Sequence, residues 1–232
     1  APRMTGASRM DSPELAAALL RSATVEEARE HAKVLNSIND ERKALVAKTV
    51  KEVNKRLVEM SDAPVIVMGS TSWRPGILGL VANSLMQAHG KPAFLWGREG
   101  GELLRGSCRS DGRASVVDIM TGARDVFEHF GGHAASGGFA LHEARVHELL
   151  PRLSAVCAVL LKGAPTEREI MVDRQLDVAE VRHAHRELKK MAPFGVENAK
   201  PLFILPGVMV SKLRMFGKNN DHLEMALTRG ND

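Results

Sequence analysis

With 232 residues, 44% hydrophobic and 26% charged, the chain is long enough for two domains. It has no apolar run near the ~18 residues of a membrane span, so it reads as a soluble globular protein. Its net charge of +4, from 32 basic and 28 acidic residues, permits a polyanionic partner without requiring one. Cys108 and Cys157 lie among apolar or small residues without C-x-x-C spacing, which argues against a disulfide framework or a zinc site and fits a reducing cytoplasm.

No secretory signal is visible, and the start at Ala1-Pro2-Arg3 without Met points to a cut chain. Asp11 to Leu20 is predicted to be a short helix, with Ser12 as cap, Pro13 in the first turn and Glu14 at the positive end. Thr24 with Glu27 forms a capping box that opens a long helix. Its apolar stripe runs through Ala28, Ala32, Leu35, Ile38, Leu45, Thr49, Val53, Leu57 and Met60, interrupted by Arg42. At ~1.5 Å per residue such a helix is a rod of roughly 50 Å. A rod that long joins two bodies or, less consistently with its Ala and Thr content, lies in a coiled coil.

From Pro64 the pattern becomes strand–helix alternation. Val65 to Met68 is a buried strand, Gly69 to Gly76 a loop, and Ile77 to Ala88 an apolar helix with Gly90 past its end. Phe94 to Trp96 and Glu102 to Arg109 read as hairpin partners around a turn at Gly97 to Gly101. Ser115 with Asp118 starts a helix whose Val116, Ile119, Met120, Ala123, Phe127 and Phe130 share a face. The glycine-dense stretch Gly131 to Phe139 is expected as a loop between that helix and a short strand, Phe139 to Leu141. A helix from Glu143 to Leu161 follows, with Pro151 as a kink or break. Lys162 to Pro165 reads as a linker. Beyond it come a strand (Glu169 to Leu176), a charged helix (Val178 to Met191) and strands at Phe203 to Leu205, Val208 to Met215 and His222 to Leu227. Arg229 to Asp232 looks like a hairpin turn without its return strand, which points to a truncated domain.

Three segments could carry chemistry. In Arg105-Gly106-Ser107-Cys108-Arg109-Ser110, a strand would place Arg105, Ser107 and Arg109 on one face. Two guanidiniums around a hydroxyl suit a phosphate; a solvated strand face is the other reading. Gly131 and Gly132 with His133 could form an anion-holding backbone concavity, or simply a helix cap and a loop histidine. Trp73, in the loop entering an apolar helix, could stack a base or anchor packing. The histidines at 142, 147, 183 and 185 have no metal-ligand spacing, and neither a P-loop, a nicotinamide fingerprint nor clustered carboxylates are present.

In order, Trp73 to Ala82, Arg105 to Ser110 and Gly131 to Ala135 resemble the successive signatures of the DHH-associated domain in the RecJ family of single-strand-specific 5′ to 3′ exonucleases, within the DHH phosphoesterase superfamily. Ala192 to Pro201 resembles the start of that family's OB-fold domain, and Pro2 to Met10 the last segment of its catalytic domain. The family usually has His where this chain has Arg74, Asn where it has Thr5 and Gly where it has Ser8.

The resemblance implies an α/β architecture. Residues 1–22 would be the tail of the catalytic domain, 23–60 the connecting helix, 61–163 a compact DHH-associated domain with a mixed sheet, and 164–232 a partial β-rich OB-like domain. It further implies that Mn2+ or Mg2+ is held upstream of residue 1, so that the segment alone is inactive. Ser107 and Arg109 would hold the 5′ phosphate of single-stranded DNA, and Gly131 and Gly132 with His133 would face the metal centre and position the scissile phosphate; Arg105, Arg9 and Trp73 are further candidate nucleic-acid contacts. Phe203, Lys212, Arg214, Phe216 and Lys218 would contact the strand from the OB part. A metal-free binding relative, and a DHH phosphodiesterase acting on short oligonucleotides, are the competing readings.

Overall fold

The computed structural model describes residues 2–57, 63–162, 170–195, 197–217 and 220–229. The chain divides into two compact units, Ala1–Pro165 and Thr166–Asp232.

The first unit opens with helices α1 (Pro2–Met10), α2 (Glu14–Arg21) and α3 (Val25–Leu57). α3 is capped by Thr24, whose Oγ1 accepts from the Glu27 N–H at 3.2 Å; the Glu27 carboxylate accepts not from Thr24 itself, as the expected box requires, but from the preceding Ala23 N–H at 2.9 Å. Its two halves bury different clusters. Leu35 packs with Ala7 and Ala16 of α1 and α2, whereas Val53 packs under the sheet described next. The expected continuation to Met60 lies outside the described residues.

A five-stranded sheet follows, built from β1 (Ile66–Gly69), β2 (Ala93–Gly97), β3 (Leu103–Arg109), β4 (His129–His133) and β5 (Ser136–His142), in the order β1-β2-β3-β5-β4. β1 and β2 are parallel, joined by α4 (Pro75–His89); the other pairings are antiparallel. α4 starts at Pro75 and ends at Gly90, whose φ of +61° is the left-handed conformation that glycine adopts without a Cβ penalty. One sheet face, through Ile66, Met68, Ala93 and Leu95, packs on Ile77, Leu78, Val81 and Leu85 of α4 and on Val53 of α3. The other, through Phe94, Leu104, Cys108, Phe139 and Leu141, packs on α5 (Val116–Gly122) and α6 (Val146–Leu160). Burial on both faces explains why β1 is a continuous apolar run rather than an alternating one.

Two expectations need correction here. The helix from Ser115 ends at Gly122, is followed by a 3-10 turn at Arg124–Val126, and does not reach Phe130. Phe127 and Phe130 still meet, edge to face with centroids 5.6 Å apart, but from an extended segment and a strand. The glycine stretch is therefore not a loop. Gly131 pairs with Gly138 and Gly132 with Gly137 across a β-hairpin whose turn is Ala134-Ala135. The turn is tied down because its two carbonyls accept from Val116 N at 2.8 Å and Ser110 N at 3.0 Å. Pro151 neither breaks nor ends α6, whose Leu149, Leu153 and Cys157 are all buried.

The second unit contains β6 (Arg174–Gln175) paired parallel with β7 (Phe203–Ile204), helix α7 (Val181–Met191), and a hairpin of β8 (Val208–Phe216) and β9 (His222–Arg229). The strand expected over Glu169 to Leu176 shortens to two residues, and the charged helix starts as a 3-10 turn at Val178–Glu180. The turn expected at Arg229 to Asp232 lies outside the described residues except for Arg229, which ends β9.

Candidate nucleic-acid interface

Strand pleating alternates the side chains of β3. Leu104 and Cys108 enter the core, while Arg105 is exposed and Ser107 and Arg109 are half-buried on the opposite face. The register extends this face sideways into three rows. Arg105 lies beside Ala140 and then His129, Ser107 beside Gly138 and then Gly131, and Arg109 beside Ser136 and then His133. The middle row carries almost no side chain beyond Ser107, so the hairpin glycines make a bare floor between two basic margins. α4 covers this face only over the β1–β2–β3 side, leaving an open groove lined by Pro75, Gly76, Glu99, Arg105, His129 and Gly131, among others.

Arg9, at the end of α1, reaches the same place. Its Nη1 donates to the Gly76 carbonyl at 3.4 Å, and Arg74 Nη1 donates to the Met10 carbonyl at 3.4 Å, so α1 is tied to the start of α4. Arg109 donates to the Cys108 carbonyl at 2.7 Å and lies against α4 at Gly79. Burial holds its guanidinium below the ordinary arginine value, and the nearby positive Arg9 pushes the same way against the opposing effect of Cys108. It remains cationic at neutral pH. Among the described residues no carboxylate ion-pairs with Arg9, Arg105 or Arg109. Neighbouring arginines without carboxylate partners have the chemistry to take an anion.

Trp73 does not belong to this face. Only 4% of it is exposed, its ring packs in the α4 cluster, its Nε1 donates to Glu52 of α3 at 3.2 Å, and the Arg56 guanidinium sits 5.7 Å from its centroid. A ring so enclosed cannot stack on a base; its place is to join α3 to the loop before α4. Ser110, in the same sequence motif as Ser107, is also structural, because its Oγ donates to the Ala114 carbonyl at 2.6 Å and is buried. The residue missed from the sequence is His129. It looked like part of a helix, and only the hairpin register places it across from Arg105.

In the second unit, Lys212, Arg214 and Phe216 alternate onto one face of β8, opposite Ala226, Glu224 and His222. Arg214 ion-pairs with Glu224 at 3.8 Å, and Phe216 packs on His222 with centroids 5.2 Å apart. Phe203 lies elsewhere, beside Leu188 and Ala184 of α7, and Lys218 is outside the described residues.

A mixed sheet sandwiched between helices, with a basic strand and a His-ended glycine hairpin on its open face, defines a DHHA1 domain. The DHHA1 domain family matches residues 43–158, half of the chain, and the chain belongs to that family. The RecJ OB domain matches residues 172–232, and the two together make this the C-terminal portion of a RecJ-type chain. Its relatives include the single-stranded-DNA-specific exonuclease RecJ of Bacillus subtilis, 28% identical over 98% of this chain and 29% of the relative. RecJ of Thermus thermophilus is 29% identical over 89% and 30%. The chain thus spans just under a third of either. The solved T. thermophilus RecJ in complex with Mg2+ superposes with a TM-score of 0.80 at 28% identity, covering 98% of this chain and 35% of that one. A RecJ exonuclease bound to manganese matches with a TM-score of 0.60 at 30% identity, over 68% and 39%.

Those structures hold a divalent metal. Among the described residues of this chain, no group of three or more His, Cys, Asp or Glu could hold one. His129 and His133 stand on a face shared with Arg105 and Arg109, whose charge opposes a cation. The residues described here therefore do not fit the metal, and no step is assigned to it on this face. No described helix is long and apolar enough to cross a membrane.

Proposed function

We propose that this chain is the substrate-holding portion of a RecJ-type exonuclease that degrades single-stranded DNA from the 5′ end in DNA recombination and repair in the cytoplasm. The observation that carries this reading is the cluster of Arg9, Arg109 and Ser107 at the edge of a glycine floor, cationic and without carboxylate partners. Arg109 and Ser107 hold the terminal 5′ phosphate, since a guanidinium contacts two oxygens and a hydroxyl a third. Arg9 flanks that phosphate, and Arg105 stands further along the same face as another contact to the strand. The backbone of Gly131 and Gly132, with no side chains in the way, and His133 face the strand beyond it. The metal that activates water in such enzymes belongs to the DHH part of the family, N-terminal to this segment in the family's order. The divisions at 22/23, 60/61 and 163/164 are the functional boundaries we assign. In the second unit, the face of β8 bearing Lys212, Arg214 and Phe216 is a further contact surface for single-stranded DNA.

The test is binding of a single-stranded oligonucleotide with and without a 5′ phosphate. Arg109→Ala is expected to weaken binding of the phosphorylated strand by ~1–3 kcal/mol, the range for a charge-assisted hydrogen bond, and to leave the unphosphorylated strand nearly unchanged. Equal affinity of the unaltered chain for both ends would remove the end-sensing role. Manganese-dependent digestion of DNA by these 232 residues alone would overturn the assignment of catalysis elsewhere.

A further inference from the structure

The row at the far end of the face is built like the first, yet lies away from the phosphate site. Arg105 and His129 flank the small Ala140 on adjacent strands, about 10 Å apart across two strand spacings, with both side chains exposed. Neither makes a side-chain hydrogen bond or an ion pair with another described residue. Both line the open groove, whose floor is backbone at Gly131 and Gly138. Along β3, successive rows are about 7 Å apart, close to the step between neighbouring phosphates of an extended single strand. A strand whose end is held at Ser107 and Arg109 and which runs over the glycine floor therefore brings its backbone to this row.

We propose that Arg105 and His129 form a second phosphate-contact site, taking an internal phosphodiester of the same strand whose 5′ end lies at Arg109. This rests on the reading of the face as a single-strand site. Bound between two donors on the strands either side of β5, the internal phosphate fixes the direction in which the chain leaves the terminal site; a single contact would leave it free to swing. Glu99, exposed at the rim of the groove, repels the backbone and limits the track on that side.

The experiment is fluorescence anisotropy of labelled oligonucleotides on the full chain without added divalent metal, for the unaltered protein and for Arg105→Gln, His129→Gln, the pair together and Glu99→Gln. Each basic variant is expected to weaken binding several-fold by an equal factor with and without the 5′ phosphate. The pair should reduce the salt slope of log affinity by about 0.7 to 1.4, one or two single-strand phosphate contacts. A methylphosphonate at one of the first two internal linkages should weaken the unaltered chain yet have no further effect on the pair. Glu99→Gln should bind slightly more tightly. Unchanged affinity and salt slope in the pair, beside intact discrimination of the 5′ phosphate, would overturn this site alone; failure of the unaltered chain to bind single strands would overturn the underlying reading. Loss confined to phosphorylated strands would place both residues in the terminal site and also refute the proposal.

Discussion

A side-chain carbon placed on Gly79 would stand 2.6 Å from Nη2 of Arg109, so the guanidinium rests on a stretch of α4 where only backbone is present. Gly79 is buried in the middle of that helix, a position at which alanine is ordinarily better by about 1 kcal/mol. The clash is with the mobile tip of a side chain rather than with backbone. Gly79→Ala should consequently leave urea stability unchanged or slightly raised while pushing Arg109 off its seat, with a clear loss of preference for a 5′-phosphorylated strand in the binding assay. A variant that keeps that preference would mean that the seat at Gly79 does not position Arg109.

The adjacent hairpin glycines should respond in opposite ways. Gly132 has φ +150°, and a Cβ there would meet the backbone of Ser136 and Gly137, so Gly132→Ala should cost roughly 1–3 kcal/mol of stability by strain and steric conflict. Gly131 has nothing within 4 Å of its Cβ position. Gly131→Ala should fold normally yet bind single strands more weakly, because its methyl rises from the floor between Ser107 and His133. Denaturant melts paired with anisotropy titrations separate the two effects, and equal destabilisation of both variants would contradict the observed register.

Trp73→Ala should destabilise the first unit by about 3–5 kcal/mol, as expected for removing a buried indole. Trp73→Phe keeps most of the volume and loses the hydrogen bond to Glu52, at a cost of about 1 kcal/mol. Affinity for single strands should be unchanged in the Phe variant. A folded Trp73→Phe protein that loses the ~1–3 kcal/mol of a base stack would return this residue to the binding surface.

Burial pushes the thiols of Cys108 and Cys157 up from 9.0 to about 12. Between those values the unfolded chain has released the thiol protons and the folded chain still holds them, so stability declines as pH rises from about 9 towards 12 and is unaffected by these groups below that window. Cys108→Ala should flatten the alkaline decline measured by unfolding at successive pH values, whatever its cost at neutral pH. In the unaltered protein, thiol reagents at pH 8 should label these cysteines only as fast as the structure opens.

How legible these features were depended on their range. Thr24 with Glu27, Ser115 with Asp118, and Pro75 with Gly90 are local signals, and each acts at a helix end as its chemistry requires. The alternation of Arg105, Ser107 and Arg109 was equally readable, because period two follows from the pleat alone. The hairpin at Gly131 and Gly138 was not. Four glycines carry low strand propensity, and Val116 to Phe130 keeps helical spacing, so local preference favoured a helix and a loop. Pairing with β3 and burial of Phe139 against Phe94 and Phe127 overrode it.

By itself, then, the sequence determined the order of the elements, the chemistry of the basic strand and the family signature, since these are carried by residues close together in the chain. Only the tertiary structure decided that Trp73 lies inside rather than on the face, that Arg9 and Arg109 share one corner, and that His129 stands across from Arg105. The reason is physical: each of those relations joins residues about twenty positions apart or more, and none is fixed until the sheet and helices close on one another.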